Sequence, residues 1–161
     1  MKTKNDILFI YNEYKERNVG RIIAFDIGDK RVGVAISDPF NEMALPLETY
    51  WRKGFERDID YLIHLAKDKY AETIVCGLPV NFDGTESEQT QKTREFIARL
   101  SEKTDIKVVS ADERFTTMQA RRVLLEADMR REKRKDVIDK IAASYILEDY
   151  LRKIKLQGEN K

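Results

Sequence analysis

Apolar and polar positions along the chain follow two different spacings, and the order of these spacings predicts the fold. Two β-rich runs, at 22–25 and 32–36, flank turn residues at 28–30 and predict a hairpin. A third strand is expected over 43–51, where Pro46 favours an edge position or a bulge. The short connections between these three strands predict an antiparallel meander.

The rest of the chain changes to the helical spacing, interrupted by two further strands. Continuous apolar runs at 73–76 and 106–110 predict the strands. Apolar stripes at helical spacing predict the core sides of four helices: Ile59, Leu62, Ile63 and Ala66; Phe96, Ile97 and Leu100; Ala120, Val123, Leu124 and Ala127; and Ile141, Ala142, Tyr145 and Ile146. Right-handed helical crossovers place the later strands parallel to the first. The expected fold class is therefore α/β, with a five-stranded mixed sheet flanked by helices.

Capping residues mark where two of the helices should begin. Thr85 with Glu88 and Thr116 with Gln119 each match a capping box, which predicts a helix start at each position. The final helix is expected to run from about residue 136 to residue 151.

The length and the apolar content suit a single domain. With 161 residues and 42% hydrophobic residues, the chain can bury one core and is too short for two ordinary domains. We expect one domain over 21–154, preceded by an extension over 1–20 with helical spacing and followed by a tail over 155–161. The 30 basic and 29 acidic residues nearly cancel, so a nucleic acid partner would need a local patch of cations.

Two residue types that occur once exclude several kinds of site. Cys76 is the only cysteine, which excludes an intrachain disulfide and suits a reducing compartment. His64 is the only histidine, which disfavours His-based triads and zinc clusters. The apolar run at 7–11 is shorter than a signal-peptide core or a membrane span. We therefore expect a soluble, cytoplasmic protein with no membrane partner.

Asp26 is the first candidate functional residue, because it ends an apolar strand where an isolated buried carboxylate would be costly. With a two-residue turn at Asp29 and Lys30, Gly33 lies opposite Asp26, and a ligand or a phosphate could approach the backbone there. The alternative interpretation is an aspartate that caps the turn.

Three acidic positions are expected to meet at one edge of the sheet. Asp26 ends the first strand and Asp112 with Glu113 follows the last, and ligands of such sheets bind beyond these strand ends. Asp139 lies near the start of the final helix on the same face as Ala142 and Ala143, which should pack on the sheet. Carboxylates this close would repel one another without a cation. Oxygen ligands without His or Cys favour Mg²⁺ or Mn²⁺, and such clusters serve phosphodiester hydrolysis.

Each of these signals also has a purely structural interpretation. Asp139 near a helix start could complement the helix dipole, and Glu113 with Arg114 could form a surface ion pair. The segment 130–135, RREKRK, holds five cations in six residues and could be a solvated loop or a phosphate-binding one. The convergence of three acids at one edge favours the functional interpretation.

The motifs of the chain resemble the YqgF family in four ordered places. They are 26–35 (DIGDKRVGVA), Gly77-Leu78-Pro79 with 83–86 (DGTE), Asp112-Glu113-Arg114 with Thr116-Thr117, and Asp139 before Ala142-Ala143. The resemblance covers about residues 21–152 and implies a ribonuclease H-like fold related to the RuvC Holliday-junction resolvases. It also implies a nuclease that matures the 5′ end of pre-16S ribosomal RNA in bacteria, with its acidic residues at Asp26, Glu113 and Asp139. The 20-residue extension departs from the usual family pattern.

Several functions remain compatible with these residues. The leading hypothesis is a metal-dependent nuclease acting on structured RNA, a ribosomal precursor or a ribosomal particle. A resolvase of branched DNA would use the same acids, and a non-catalytic RNA-binding assembly factor would need only the cations. An actin-like ATPase would need two such domains. The expected nucleic acid contacts are Lys30, Arg31, Arg114, Arg130, Arg131, Lys133, Arg134 and Lys135. The oligomeric state stays open.

Overall fold

The structure is a computed structural model that describes residues 3–9, 20–81, 83–113, 118–128 and 134–159. A short helical stretch at 4–9 precedes the main body, in which strands and helices alternate. The strands are β1 (Arg21–Ile27), β2 (Arg31–Ser37), β3 (Ala44–Trp51), β4 (Ala71–Leu78) and β5 (Lys107–Asp112). The helices are α1 (Phe55–Asp68), α2 (Glu88–Lys103), α3 (Met118–Asp128) and α4 (Arg134–Glu159).

The five strands form one mixed sheet in the order β3-β2-β1-β4-β5. The pairs β1–β2 and β2–β3 are antiparallel, whereas β4 runs parallel to both β1 and β5. These pairings confirm the expected meander followed by parallel strands. Strand β3 lies at the edge, and its register shifts beside Pro46, which confirms both expectations for that proline.

The turn between β1 and β2 sets the position of Asp26. The Gly28 amide donates to the Arg31 carbonyl oxygen at 2.9 Å, which leaves a two-residue turn. Asp26 therefore pairs with Gly33, as predicted.

The core has two layers, one on each face of the sheet. Ile23 and Phe25 of β1 pack with α1 and α2, whereas Ile22 and Ala24 pack with α4. This alternation follows from the two-residue period of a strand. Asp26, two positions beyond Ala24, therefore lies on the face that α4 covers.

Helix α4 lies very close to the sheet because small residues face it. A Cβ atom at Gly33 would overlap the main-chain carbonyl of Asp139. The backbone of α4 thus fills the space over Gly33 that the sequence left open for a ligand or a phosphate. Ala142 and Ala143 are buried against the sheet, as expected.

Two local predictions differ from the structure, and a third falls on residues that the structure does not describe. The N-cap of α2 is Ser87, whose hydroxyl accepts from the Thr90 amide, and Thr85 instead bonds to Asp83 in the preceding turn. Helix α4 begins at Arg134, before residue 136, and it continues beyond residue 151. The expected capping box at Thr116 lies outside the described residues.

The expected core stripe of α3 is wrong at every position whose side chain the structure describes, since Val123, Leu124 and Ala127 are all exposed. Val123 and Leu124 are each 64% exposed. The side of α3 that faces the body instead carries Met118, which is buried, and Arg122, whose guanidinium reaches Asp26. The side of α3 that faces the body is therefore the one that carries Arg122, which is attracted to buried acids, and not the one that carries the apolar stripe.

The N-terminal helical stretch exposes its apolar side chains. Ile7, Leu8 and Phe9 are all more than half exposed, and the other apolar residues at helical spacing from Ile7, namely Ile10, Tyr11 and Tyr14, lie outside the described residues. Among the helices that are described, none combines the length and the apolar content needed to cross a membrane.

Candidate active site

The three predicted acids converge on the face of the sheet that α4 covers. Asp26 lies there by strand alternation, and Glu113 follows Ala111, which packs against the same core layer. Asp139 lies in the second turn of α4, which begins at Arg134. Dipole effects decline beyond the first turn, so dipole compensation alone is a poor explanation for Asp139.

Asp26 is a nearly buried carboxylate held by an arginine. Its side chain is 15% exposed, and its Oδ2 accepts from Arg122 Nη2 at 2.8 Å. Burial raises the pKa of Asp26, the Arg122 charge lowers it, and the charge of Asp139 raises it again. The net effect is an elevated pKa, because desolvation of the carboxylate outweighs the ion pair.

Glu113 occupies a space that Gly77 provides. A Cβ atom at residue 77 would overlap the Glu113 carboxylate and stand 2.6 Å from Ile146 Cδ1. The Glu113 amide donates to the Leu78 carbonyl at 3.2 Å, which extends the pairing of β5 with β4. Burial, followed by the charge of Asp26, raises the pKa of Glu113 to about 7.

Asp139 forms an ion pair that also involves an aromatic ring. Its Oδ2 accepts from Arg31 Nε at 2.6 Å, and the Asp139 side chain is 14% exposed. The Arg31 guanidinium lies 5.3 Å from the centre of the Trp51 ring, a cation–π arrangement. Trp51, which is 48% exposed, thus borders the acidic site at the edge strand.

Arg122 connects the acids, and sequence reasoning missed it. The pKa of Arg122 is raised by the charge of Asp26 above all, with smaller contributions from Glu113 and Asp139. Its positive charge therefore lies among all three carboxylates. The four-residue spacing places Arg122 on the same face of α3 as Met118, but only the structure shows that this face is turned toward the body.

The site has the type of donor atom that a hard divalent cation prefers, but the donor atoms are not arranged to bind one ion together. Carboxylate oxygens are the ligands that Mg²⁺ and Mn²⁺ prefer. Among the residues that the structure describes, however, no group of three or more His, Cys, Asp or Glu side chains is placed to hold one ion. Asp26 and Asp139 instead accept hydrogen bonds from Arg122 and Arg31.

The predicted nucleic acid contacts fall into three groups. Lys30 is exposed in the β1–β2 turn, and Arg31 is engaged with Asp139. Arg134 and Lys135 form the start of α4. Arg114, Arg130, Arg131 and Lys133 lie outside the described residues.

A cavity opens beside Glu113 at the β5 edge of the sheet. Its volume is about 480 Å³, and α4 contributes Asp149, Tyr150 and Lys153 to its walls. This volume is within the range of about 300–1,000 Å³ that is typical of small-ligand sites. The acidic site is thus open to molecules from solvent on the Glu113 side.

The sequence is similar to that of one family of known proteins. A family model described as "RuvX: Holliday junction resolvase" matches residues 20–153. A protein of Clostridium kluyveri is 46% identical over 135 residues, which are 83% of this chain and 98% of that protein. A protein of Clostridium acetobutylicum is 43% identical over 134 residues, 83% of this chain and 99% of that one. Both are named "Putative pre-16S rRNA nuclease".

One solved structure supports the fold. It is RuvC of T. thermophilus in complex with a Holliday junction substrate, with a TM-score of 0.52 and 10% identity. The match covers 82% of this chain and 94% of that one, and it confirms the expected ribonuclease H-like fold. With the family model and two relatives that match almost their whole length, the chain belongs to the RuvX family, the YqgF family that its motifs resemble.

Proposed function

We propose that the chain is a divalent-metal-dependent nuclease that hydrolyses phosphodiester bonds of RNA. Its proposed substrate is the 5′ end of pre-16S ribosomal RNA, free or in a ribosomal particle, during ribosome assembly in the cytoplasm. The observation that carries this proposal is the convergence of Asp26, Glu113 and Asp139 around the guanidinium of Arg122, which donates to Asp26 at 2.8 Å. Family membership supports the hydrolysis of phosphodiester bonds in particular.

The electrostatics of the site explain why a cation should bind there. The pKa values of Asp26 and Glu113 are raised by burial and by neighbouring carboxylates even though the Arg122 charge lowers both, so the ionised cluster needs more positive charge than Arg122 supplies. In the proposed site these two residues and Asp139 would hold the ion through their carboxylate oxygens. A bound divalent ion would activate water and stabilise the leaving oxygen. The protein fixes the oxygens by placing them on two strand ends and one helix.

The surroundings of the acids suit a nucleic acid. Lys30 and Arg31 lie on the Trp51 side, and Lys153 with Tyr150 lines the cavity beside Glu113. Cations bind phosphates without strong sequence preference, and aromatic rings stack on unpaired bases. RNA is the preferred substrate in this proposal because the two relatives above carry the name of an rRNA nuclease.

The experiment compares two substrates under Mg²⁺ and under Mn²⁺. Purified wild type, Asp26→Asn and the control Asp60→Asn are incubated with a pre-16S RNA fragment that retains its 5′ extension, and with a four-way DNA junction. Asp60 is an exposed residue of α1 that pairs with Lys103, so its substitution should leave cleavage unchanged. We expect metal-dependent cleavage of the RNA by wild type and the control, and none by Asp26→Asn. Undiminished cleavage by Asp26→Asn would rule out the proposed site.

A second candidate function is resolution of branched DNA. The description of the family model favours it, and the same acids would serve it. Preferential cleavage of the DNA junction in the paired assay would select this function. Salt-dependent RNA binding without turnover under either metal would instead indicate a non-catalytic assembly factor.

A further inference from the structure

Arg122 reaches the acidic site from the solvent side. The side chain of Arg122 is 36% exposed, whereas that of Asp26, its partner, is 15% exposed. The guanidinium thus caps a nearly buried carboxylate while part of the arginine stays in water. A long side chain in this position can leave its partner without a rearrangement of the backbone.

The neighbouring arginine of α3 has a different environment. Arg121 lies over the Tyr145 ring, 5.0 Å from its centre, and its Nη1 stands 3.8 Å and 3.7 Å from carboxylate oxygens of Glu148 and Asp149. Arg121 therefore connects α3 to α4. Arg122 alone of the two donates to an acid of the proposed site, through its bond to Asp26.

A guanidinium and a divalent ion compete for such a site in two ways. First, the Asp26 oxygen that accepts from Arg122 has fewer lone pairs left to bind a metal ion. Second, the guanidinium and the metal ion are both positive, and at a separation of a few ångströms they repel each other strongly where water is scarce. Arg122 Nη2 lies 2.8 Å from Asp26 Oδ2, so the guanidinium stands beside an oxygen that the ion would need as a ligand. In this arrangement Asp26 accepts from Arg122 and Asp139 accepts from Arg31, and among the described residues no group of three or more His, Cys, Asp or Glu side chains is placed to hold one ion.

We propose that Arg122 is the internal counterion of the acidic site, and that a divalent ion binds only when Arg122 releases Asp26. The inference rests on the proposed function, because it assumes that Asp26 is a metal ligand. Without metal, the ion pair keeps the buried carboxylate compensated. With metal, the released guanidinium is free to bind another anion, and a phosphate of the substrate has the geometry that arginine prefers.

The test measures Mn²⁺ binding without any nucleic acid, from the electron paramagnetic resonance signal of free Mn²⁺. The proteins are wild type, Arg122→Gln and the matched control Arg121→Gln, which removes one positive charge from the adjacent position. We expect Arg122→Gln to bind Mn²⁺ at least tenfold more tightly than wild type, and Arg121→Gln to stay within about twofold. Adding Asp26→Asn to Arg122→Gln should abolish the gain. Circular dichroism checks that each variant is folded.

The possible results separate the inference from the proposed function. Equal or weaker Mn²⁺ binding by Arg122→Gln would overturn the inference while leaving a metal site in place. A similar gain in Arg121→Gln would also overturn it, because the effect would then come from net charge. If neither wild type nor Arg122→Gln binds Mn²⁺, both the inference and the proposed metal dependence are wrong.

Discussion

Gly77 of β4 provides the space in which the carboxylate of Glu113 lies. A Cβ atom at residue 77 would overlap Glu113 Oε1 and stand 2.6 Å from Ile146 Cδ1. Both obstacles are the far ends of flexible side chains, which can move aside at moderate cost. The glycine is therefore needed for the position of an acid more than for the stability of the sheet.

The substitution Gly77→Ala should separate activity from stability. We expect the free energy of unfolding to fall by about 1–2 kcal/mol, since side chains can adjust to one added methyl group. Cleavage should fall at least tenfold, because Glu113 must leave its position. Gly158→Ala is the control, since a Cβ atom at residue 158 meets nothing within 4 Å. Full cleavage activity of Gly77→Ala would contradict the proposed role of Glu113.

Gly33→Ala, unlike Gly77→Ala, should mainly lower the stability of the fold. The added Cβ would overlap the Asp139 main-chain carbonyl, and the backbone of a 26-residue helix cannot turn aside as a side chain can. We expect a loss of about 3 kcal/mol or more in urea unfolding. Equal stability of Gly33→Ala and Gly77→Ala would show that α4 is not packed against β2 in this way.

Glu113→Gln should change how stability depends on pH. The pKa of Glu113 is raised from 4.5 to about 7 in the folded chain, so protonation favours the folded state. This stabilisation is fully present below about pH 4.5 and is lost as the pH rises through 7. At pH 8, the free energy of unfolding of Glu113→Gln, measured in urea, should therefore exceed that of wild type by about 1–3 kcal/mol.

The difference between Glu113→Gln and wild type should shrink below pH 5, where both side chains are neutral. The exposed Glu102→Gln serves as the control and should keep the wild-type profile. A constant difference across the whole pH range would contradict the raised pKa of Glu113.

Asp58 should contribute strongly to stability and not to cleavage. Its side chain is fully buried, and it accepts from Tyr50, from Arg52 at 2.8 Å and from the Lys53 amide. Removal of one partner from a buried ion pair costs about 3–5 kcal/mol, so Asp58→Ala should lose about that much in thermal or urea unfolding. Asp60→Ala, two residues away and exposed, should lose less than about 1 kcal/mol.

Local sequence signals were sufficient to place Asp26 and Glu113. The turn chemistry at Asp29 and Lys30 defines the register that puts Asp26 opposite Gly33. The rule that ligands bind beyond the ends of parallel strands brings Glu113 to the same region. Pro46 correctly marked the edge strand.

The features that the sequence did not reveal depend on which side chains the folded chain brings into contact, whether they are near or distant along the sequence. Val123 and Leu124 have the spacing of a core stripe, yet α3 turns Arg122 inward, toward an acid 96 residues away. Ser and Thr are both good caps, so the residue types do not distinguish Ser87 from Thr85; in the structure Ser87 accepts from the Thr90 amide, and Thr85 donates to Asp83. In the sequence, Asp58 is an ordinary acidic residue of a first helical turn. Only the structure shows that Tyr50 and Arg52 donate hydrogen bonds to it.

The most direct measurement is anomalous diffraction at a wavelength that excites manganese, from crystals soaked in Mn²⁺. We expect a peak about 2.0–2.3 Å from carboxylate oxygens of Asp26, Glu113 and Asp139, with Arg122 turned away from Asp26. The absence of a peak among these residues, with Arg122 still bonded to Asp26 at saturating Mn²⁺, would contradict a metal-dependent active site at this position.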